Sequence, residues 1–330
     1  MKKFEWSIFS LLIILLIIGI VSIYSASSTK IGDDFLFTNY YVKQIIWIII
    51  SMIVFFLLLK APNAAIEISI FPLYFFTLLL LVLVLFLPEI KGSHRWINLG
   101  SIHFQPSELA KLMTIMVISR LISKPFLSSG QILFRTFIVT LIPITLILLE
   151  PDLGTALTFF VILFSILLVS DLPKFYLILI ISPILSIIFS FSIWLFIFYL
   201  LLLIYILYRS NLDKVIIGFV LAINTFIFSV IGEEFGFFGC TFILVIYFLF
   251  LYKIALSIIK IKRKEYRFVS IGILAYITFQ IFINIGMNLG IVPTTGIPLP
   301  FISYGGSNLL INVTAIGFIL KYLNERSIFA

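Results

Sequence analysis

Long apolar stretches separated by short polar ones run from the first residues of the chain to the last. A helix needs about 20 mainly apolar residues to cross the hydrocarbon layer of a bilayer, and these stretches approach or exceed that length. Backbone groups inside lipid must hydrogen-bond within their own segment, so such stretches are typical of spanning helices and not of strands. The pattern predicts spans at residues 5–25, 42–59, 65–87, 106–122, 133–149, 154–170, 174–190, 192–208, 215–231, 240–258, 268–288 and 308–323.

The composition indicates a protein that lies almost wholly in a membrane. Of the 330 residues, 62% are hydrophobic and 11% are charged, too few charges to cover the surface of a soluble domain of this length. No Gly/Ser-rich or Pro-rich linker divides the chain, so we expect one all-α transmembrane domain over residues 1–330. The basic start followed by an apolar run is similar to a signal peptide, but the many later spans favour an uncleaved first span.

The positions of the basic residues explain the net charge of +8 without a nucleic-acid partner. With the N-terminus in the cytoplasm, most basic residues between spans fall on the cytoplasmic side, including the dense run 260–267. This asymmetry sets the orientation of membrane proteins and predicts that both chain ends are cytoplasmic. The same alternation predicts four polar segments on the outer side, at residues 88–108, 149–155, 232–239 and 289–307.

The first polar segment gathers positive charge next to the bilayer. Lys91, His94 and Arg95 lie within five consecutive residues, a grouping that suits a diphosphate or a phospholipid headgroup. We take all three as candidate substrate-binding residues. Ordinary anchoring to membrane lipids is the alternative.

The same segment leads into a predicted helix that contains an acid and a base near its start. Ser107 follows a proline and is predicted to cap this helix, which places Glu108 and Lys111 on one face. Ionisable groups at membrane depth are functional candidates by default. The alternative is a structural ion pair that anchors the helix end.

Four more carboxylates occur in the second and third polar segments. Asp152 lies two residues after Glu150 in a turn that is unusually acidic for this chain, and Glu233 and Glu234 are adjacent at a predicted span end. Carboxylates in such places need water, a cation or basic partners. A divalent cation is therefore left open as a cofactor.

The fourth polar segment is rich in proline and glycine. This composition forbids a regular helix, and irregular backbone beside a span is tolerated where protein or water covers it, so we expect the segment to line a cavity. Gly305, Gly306 and Ser307 lead into the last span and would leave backbone N–H groups at a helix N-terminus, where an anion binds well. Together with Ser303 they are candidate substrate-binding residues. A plain helix start is the alternative.

We predict no residues that bind zinc. Cys240 is the only cysteine and lies in an apolar stretch, and His94 and His103 have no nearby carboxylate at ligand spacing. The sequence contains no P-loop, no GxGxxG fingerprint and no HExxH motif.

Five stretches of the chain occur in an order that is typical of one family. With them the sequence resembles the SEDS family (shape, elongation, division and sporulation) of RodA, FtsW and SpoVE, and the form of residues 296–301 is more similar to the RodA branch. The stretches are HRWINLG at 94–100, FQPSELAK at 104–111, PDLGTAL at 151–157, GEEFG at 232–236 and NIGMNLGIVPTTGIPLPFISYGGS at 284–307.

The resemblance implies a bundle of ten spans and a glycosyltransferase on the outer face of the bacterial cytoplasmic membrane. Such an enzyme polymerises lipid II, an undecaprenyl-diphosphate-linked disaccharide peptide, beside a class B penicillin-binding protein. A carboxylate suits removal of the proton from the attacking sugar hydroxyl, and a cation or a helix N-terminus suits the departing diphosphate. The family's motif positions are occupied by Glu108, Lys111, Asp152, Glu233 and Glu234.

One position departs from the family pattern. The resemblance implies an aspartate base where this chain has Thr225, and a threonine hydroxyl is no base near neutral pH. The family's long polar outer loop is also replaced by apolar residues within 191–231, which predict an extra membrane hairpin and twelve spans instead of ten. A surface arrangement of that region is the alternative. Asp213 is a poorer base, because the predicted topology places it on the cytoplasmic side.

Three functions therefore stay open from the sequence. The first is a RodA-like peptidoglycan glycosyltransferase for cell elongation and shape, in which Asp152, Glu233 or Glu234 takes the role of the base. The second is a non-catalytic SEDS protein that scaffolds or activates a penicillin-binding protein. The third is a carrier of a lipid-linked precursor, which ranks last because it would need more polar residues at mid-depth in its spans.

Overall fold

The computed structural model describes residues 4–28, 40–88, 94–99, 102–124, 127–172, 227–288 and 296–325. Almost all of them belong to one compact unit, Met1–Ile166 with Ile223–Ala330, and the second unit is Leu167–Ala222. The prediction of a single domain over the whole chain stays a prediction. In chain order, the described elements are α1 (Trp6–Ser28), α2 (Tyr40–Lys60), α3 (Asn63–Val84), β1 (Ile97–Leu99), β2 (Ile102–Phe104), α4 (Pro106–Ile122), α5 (Ser129–Leu149), α6 (Leu153–Val169), α7 (Ile227–Ile258), α8 (Lys264–Asn288) and α9 (Gly306–Asn324).

These helices form an all-α membrane bundle, as the apolar pattern predicts. Within the described part of the chain, seven of them are long and apolar enough to cross a bilayer, and α6 is a shorter apolar helix. The predicted spans at 174–190 and 192–208, and most of the one at 215–231, lie outside the described residues. The choice between ten and twelve spans therefore stays a prediction.

The predicted break between two spans at residues 232–239 is wrong. The chain forms one uninterrupted helix, α7, of 32 residues. At 1.5 Å per residue such a helix is about 48 Å long, whereas the hydrocarbon layer is about 30 Å thick. The polar GEEFG stretch contains no proline and does not interrupt the backbone hydrogen bonds, so it continues the helix instead of forming a loop.

Helix α4 is enclosed by other helices of the bundle. It contacts α3, α5, α8 and α9, and all but three of its 17 residues are buried. An apolar cluster of Leu81, Ala110, Ile144, Ile147, Ala156 and Phe159 joins it to α3, α5 and α6. Because protein and not lipid surrounds this helix, it can carry polar side chains that a lipid-facing helix could not.

The start of α4 differs from the prediction that Ser107 is the N-cap. The helix begins at Pro106, and Gln105 is the N-cap residue without a side-chain capping bond. Proline favours the first helical position because its missing N–H would have no partner there. The unpredicted hairpin of β1 and β2 precedes the helix, with Ile97 paired to Phe104.

Charged residues gather at the opposite end of α4. Arg120, near its last turn, lies 3.8 Å from Glu67 and 3.5 Å from Glu265. Arg263 lies 2.7 Å from Glu67 and 2.9 Å from Glu265. The start of α3, the end of α4 and the start of α8 therefore meet at one end of the bundle. The predicted alternation of span direction places these three helix ends on the same side of the membrane.

Helices α2 and α9 run parallel and contact each other along their lengths. Near the start of both helices, the Trp47 ring covers Gly306 so closely that an added Cβ would lie 2.0 Å from its Cε2 atom. Near the other end, Lys321 Nζ donates to the carbonyl oxygens of Leu59, at 3.5 Å, and Ala61. The two helices are thus joined at both ends.

The described part of the fourth polar segment, residues 296–305, is irregular, in agreement with the prediction. Asn284 Nδ2 donates to the carbonyl oxygen of Ile297 at 2.8 Å, and the Tyr247 hydroxyl donates to that of Pro300. Gly19 in α1 allows the backbone of Phe301 to approach, since a Cβ there would lie 2.7 Å from its carbonyl oxygen. Three helices therefore hold this segment in place.

Candidate active site

A cavity of about 160 Å³, with several polar and charged side chains in its wall, lies between these helices at the end where α4 begins. Three of the four predicted polar segments contribute to its wall. Its lining residues are Arg95, Trp96, Gln105, Glu108, Lys111, Asp152, Thr155, Thr158, Gln280, Gly296, Ile297, Pro298, Tyr304, Gly305 and Asn308.

One wall of the cavity holds a buried chain of polar side chains. Lys111 Nζ donates to Glu108 Oε1 at 2.9 Å, and Asn308 Nδ2 donates to Glu108 Oε2 at 3.0 Å. Asn312 in turn donates to Asn308 Oδ1 at 2.8 Å. Only 3% of Glu108 and 1% of Lys111 is exposed. Lys111 Nζ also lies 5.6 Å from the centre of the Tyr276 ring, which attracts the cation further.

The i, i+3 spacing of Glu108 and Lys111 explains how this pair forms. Both residues lie in the first two turns of α4, on the side that faces α9 and the cavity. Pairing lowers the free-energy cost of burying the two charges, because an unpaired buried charge is strongly unfavourable. The structure therefore brings the predicted acid and base into direct contact.

A second charged pair joins the first and second polar segments. Arg95 Nη1 lies 3.8 Å from Asp152 Oδ2, its Nε donates to the carbonyl oxygen of Glu150 at 3.1 Å, and its Nη2 donates to that of Pro151. Asp152 accepts bonds from the backbone N–H and the hydroxyl of Thr155, at 3.0 and 2.8 Å. The carboxylate thus caps α6, and the guanidinium fixes the turn before it.

Glu150 has an unusual environment in the turn between α5 and α6. Its side chain is fully buried, and neither carboxylate oxygen has a hydrogen-bond partner among the described residues. Burial, and then the nearby Asp152, raise the pKa of Glu150 to about 8, while Arg95 opposes that shift. The carboxyl is therefore mainly protonated at neutral pH.

The N-terminus of α9 is less open to an anion than the sequence predicts. The Ser307 hydroxyl donates to the carbonyl oxygen of His103 at 3.1 Å and accepts from the backbone N–H of Gln105 at 3.1 Å. The Trp47 ring lies against Gly306, so the expected open anion site is partly covered. Gly305 lines the cavity.

Two further candidates bond to the backbone. The Ser303 hydroxyl accepts from the backbone N–H of Leu299 at 2.9 Å, and it stabilises the irregular segment. His94 Nδ1 lies 2.6 Å from the carbonyl oxygen of Leu87. Neither residue is among those that line the cavity.

The remaining candidates are not placed by the structure. Lys91 and Thr225 lie outside the described residues. Glu233 and Glu234 belong to α7, but only their backbone is described. Among the described residues no three His, Cys, Asp or Glu side chains come together as metal ligands, and the divalent cation stays open.

Ten of the fifteen lining residues are not among the candidates that the sequence indicates. Trp96, Gln280 and Asn308 are among these ten. A lone amide inside an otherwise apolar span, as at Gln280, is the signal that could have pointed to it.

The family model of cell cycle proteins that covers FtsW, RodA and SpoVE matches residues 5–216 and 217–328. The chain belongs to this family. It is 29% identical to a probable peptidoglycan glycosyltransferase FtsW from Haemophilus influenzae, with 99% of this chain and 92% of the relative covered. A probable peptidoglycan glycosyltransferase FtsW from Enterococcus hirae is 30% identical, with 98% and 93% covered.

Solved structures share the fold over the whole chain. The rod shape determining protein RodA from Thermus thermophilus has a TM-score of 0.77 at 26% identity, with 98% of both chains covered. A chain from a peptidoglycan synthase complex, described for the coordination of polymerization and crosslinking, has a TM-score of 0.80 at 27% identity. It covers 99% of this chain and 100% of its own.

Proposed function

We propose that this protein is a peptidoglycan glycosyltransferase that polymerises lipid II at the outer face of the bacterial cytoplasmic membrane. The observation that carries the proposal is the cavity in which Glu108, Lys111, Arg95 and Asp152 meet inside a membrane bundle. It offers both carboxylates and cations to a substrate that contains a sugar and a diphosphate. The names of the relatives support the same activity.

The reaction joins an attacking sugar hydroxyl to an anomeric carbon while a lipid diphosphate leaves. The hydroxyl proton must pass to a base, and the negative charge that develops on the diphosphate must be stabilised. Arg95 and Lys111 supply positive charge at the cavity, and the backbone around Gly305 adds N–H groups near the start of α9. We assign these groups to the diphosphate.

Asp152 is our first candidate for the base. It lines the cavity, and each of its oxygens accepts one bond from Thr155, which leaves a lone pair on each oxygen for a substrate proton. Glu108, the other described carboxylate in the cavity, also accepts one bond on each oxygen. Its charge, however, is paired with the Lys111 ammonium at 2.9 Å, whereas Arg95 lies 3.8 Å from Asp152. Glu233 and Glu234 stay alternatives.

A penicillin-binding protein of class B is the proposed partner, and it would cross-link the glycan strands. The similarity to a chain from a complex that coordinates polymerization and crosslinking supports this pairing. The assignment to elongation instead of division rests on the RodA-like form of residues 296–301, whereas the curated relatives above carry the name FtsW. Loss of the protein would change cell shape in the first role and block septation in the second.

A non-catalytic scaffold is the second candidate function. Thr225 stands where the resemblance implies an aspartate, and this single difference favours a protein that activates its partner without forming glycan chains itself. A carrier of the lipid-linked precursor is the third.

One experiment separates these functions. The purified protein is mixed with a cognate penicillin-binding protein whose own polymerising activity is absent, and with labelled lipid II. Thr278→Val serves as the control, because the Thr278 hydroxyl donates to the carbonyl oxygen of Leu274 within its own helix. Glycan chains that form with the wild type and with this control, and are lost with Asp152→Asn, would support catalysis. No chains under any condition, beside an active relative as positive control, would exclude it. Transfer of lipid II across vesicles without polymer would indicate the carrier.

A further inference from the structure

Gln280, one of the residues that line the cavity, carries an unused hydrogen-bonding group. Only 1% of the side chain is exposed, and its amide oxygen has no partner among the described residues. A buried polar atom without a partner is unfavourable, so in this cavity it is ready to bind a group that enters. Neither the base nor the diphosphate site of the proposed function includes this residue.

The position of Gln280 is fixed by its neighbours on α8. Tyr276 lies one turn before it and contacts Lys111 through its ring. Asn284 lies one turn after it and holds the carbonyl oxygen of Ile297. These residues recur every four positions and share a helix face. Gln280 therefore stands between the ion pair of α4 and the irregular segment, with its backbone held on both sides.

The neighbouring wall, from α6, also offers acceptors. The Thr155 hydroxyl gives its proton to Asp152 at 2.8 Å, and the Thr158 hydroxyl gives its proton to the carbonyl oxygen of Gly154 at 3.1 Å. Both residues line the cavity, and each oxygen can still accept a bond because a hydroxyl has one proton and two acceptor sites. A ligand group that binds here must bring its own donors.

We propose that Gln280 is a specificity-determining residue that accepts a hydrogen bond from a hydroxyl or an acetamido N–H of the saccharide, on a wall completed by Thr155 and Thr158. This inference rests on the proposed function and deepens it. The neutral, donor-rich sugar binds at the acceptors of α6 and α8, while the acceptor-rich diphosphate binds at Arg95 and Lys111. The cavity thus sorts the two halves of its substrate by hydrogen-bond polarity.

The test compares four forms of the full-length protein in detergent: wild type, Gln280→Met, Gln280→Asn and Thr278→Val. Thr278 is a matched control, because it lies on the same helix and its hydroxyl donates to the carbonyl oxygen of Leu274, at 2.7 Å, within that helix. We expect Gln280→Met to raise KM for lipid II roughly tenfold, the equivalent of about 1.4 kcal/mol, with a smaller change in kcat. Gln280→Asn keeps the amide but is one methylene shorter, so its KM should lie between those of the wild type and Gln280→Met.

A panel of lipid II analogues, each lacking one hydroxyl or the acetyl group, separates recognition from a structural effect. For the wild type, one analogue should bind more weakly than lipid II. For Gln280→Met, the same analogue and lipid II should bind equally well, because the variant has already lost the bond that the analogue lacks. Equal losses on every analogue would indicate a structural role and overturn the inference.

Two other results would also overturn it. If Gln280→Met has the KM of the wild type, the residue does not contact the substrate. If Gln280→Asn raises KM more than Gln280→Met does while both keep the melting temperature of the wild type, the amide is not the group that binds the saccharide. An active wild type beside these results leaves the proposed function intact. A wild type that neither binds nor polymerises lipid II removes the proposed function and this inference together.

Discussion

Lys111 Nζ lies 2.9 Å from Glu108 Oε1, and both side chains are almost completely withdrawn from solvent. The pair connects the interior of α4 to α9 through Asn308. It is a structural element of the bundle and a wall of the cavity at once, so its removal should affect both stability and activity.

Removing one partner of this pair should destabilise the protein more than replacing both partners. Lys111→Met leaves the Glu108 carboxylate buried and unpaired, and we expect a loss of about 3–5 kcal/mol in unfolding free energy. The double variant Glu108→Gln with Lys111→Met should recover much of that loss, because no isolated charge is left. Denaturant or thermal unfolding in micelles measures both. A double variant less stable than either single variant would contradict this account.

Arg95 should not be replaceable by lysine. Its guanidinium reaches the carbonyl oxygens of Glu150 and Pro151 and approaches Asp152, and the compact ammonium of lysine cannot copy this fork. We expect Arg95→Ala to lower kcat/KM by at least about 100-fold, which corresponds to about 2.7 kcal/mol, and Arg95→Lys to restore only part of it. Steady-state polymerisation of lipid II measures the effect. Full activity of Arg95→Lys would show that charge alone is required.

The stability of the protein should decrease as the pH rises, because of Glu150. In the unfolded chain this carboxyl ionises near its ordinary pKa of 4.5, whereas in the folded protein it stays protonated up to about pH 8. Its favourable contribution is complete below about pH 4.5, declines as the pH rises between these two values, and changes no further above the folded pKa.

The maximum slope of this decline is about 1.4 kcal/mol per pH unit. Glu150→Gln removes the titrating group but keeps its shape, so the slope in this range should become flatter than that of the wild type. Unfolding at a series of pH values from 5 to 8 makes the comparison. Identical slopes for the two proteins would show that Glu150 is ionised in the fold.

Gly306 should tolerate no side chain while Trp47 is in place. A Cβ at this position would lie 2.0 Å from the Trp47 ring, so Gly306→Ala should destabilise the protein by about 1–3 kcal/mol through overpacking. Gly130 in α5 serves as the control: a Cβ added there would meet no atom of the described residues within 4 Å, so alanine should be neutral or slightly stabilising. Trp47→Leu should rescue Gly306→Ala. Equal melting temperatures for both alanine variants would contradict the contact.

The sequence predicts the membrane bundle well because apolar length alone selects spanning helices. It fails at residues 232–239, since a drop in hydrophobicity marks the edge of the membrane and does not require a helix to end there. It also fails at Ser107, where the preceding proline takes the first helical position. The contact of Glu108 with Lys111 follows from helical spacing. Gln280 and Asn308 do not, because their roles depend on which helix faces which.

The joining of α2 to α9 at both ends limits how the molecule can move. Trp47 against Gly306 at one end and Lys321 bound to the carbonyl oxygens of Leu59 and Ala61 at the other prevent these helices from sliding or pivoting past each other. Of the two helices, α9 contributes to the cavity wall, through Asn308. If the cavity changes shape to admit a substrate, we therefore expect α2 and α9 to move together as one unit.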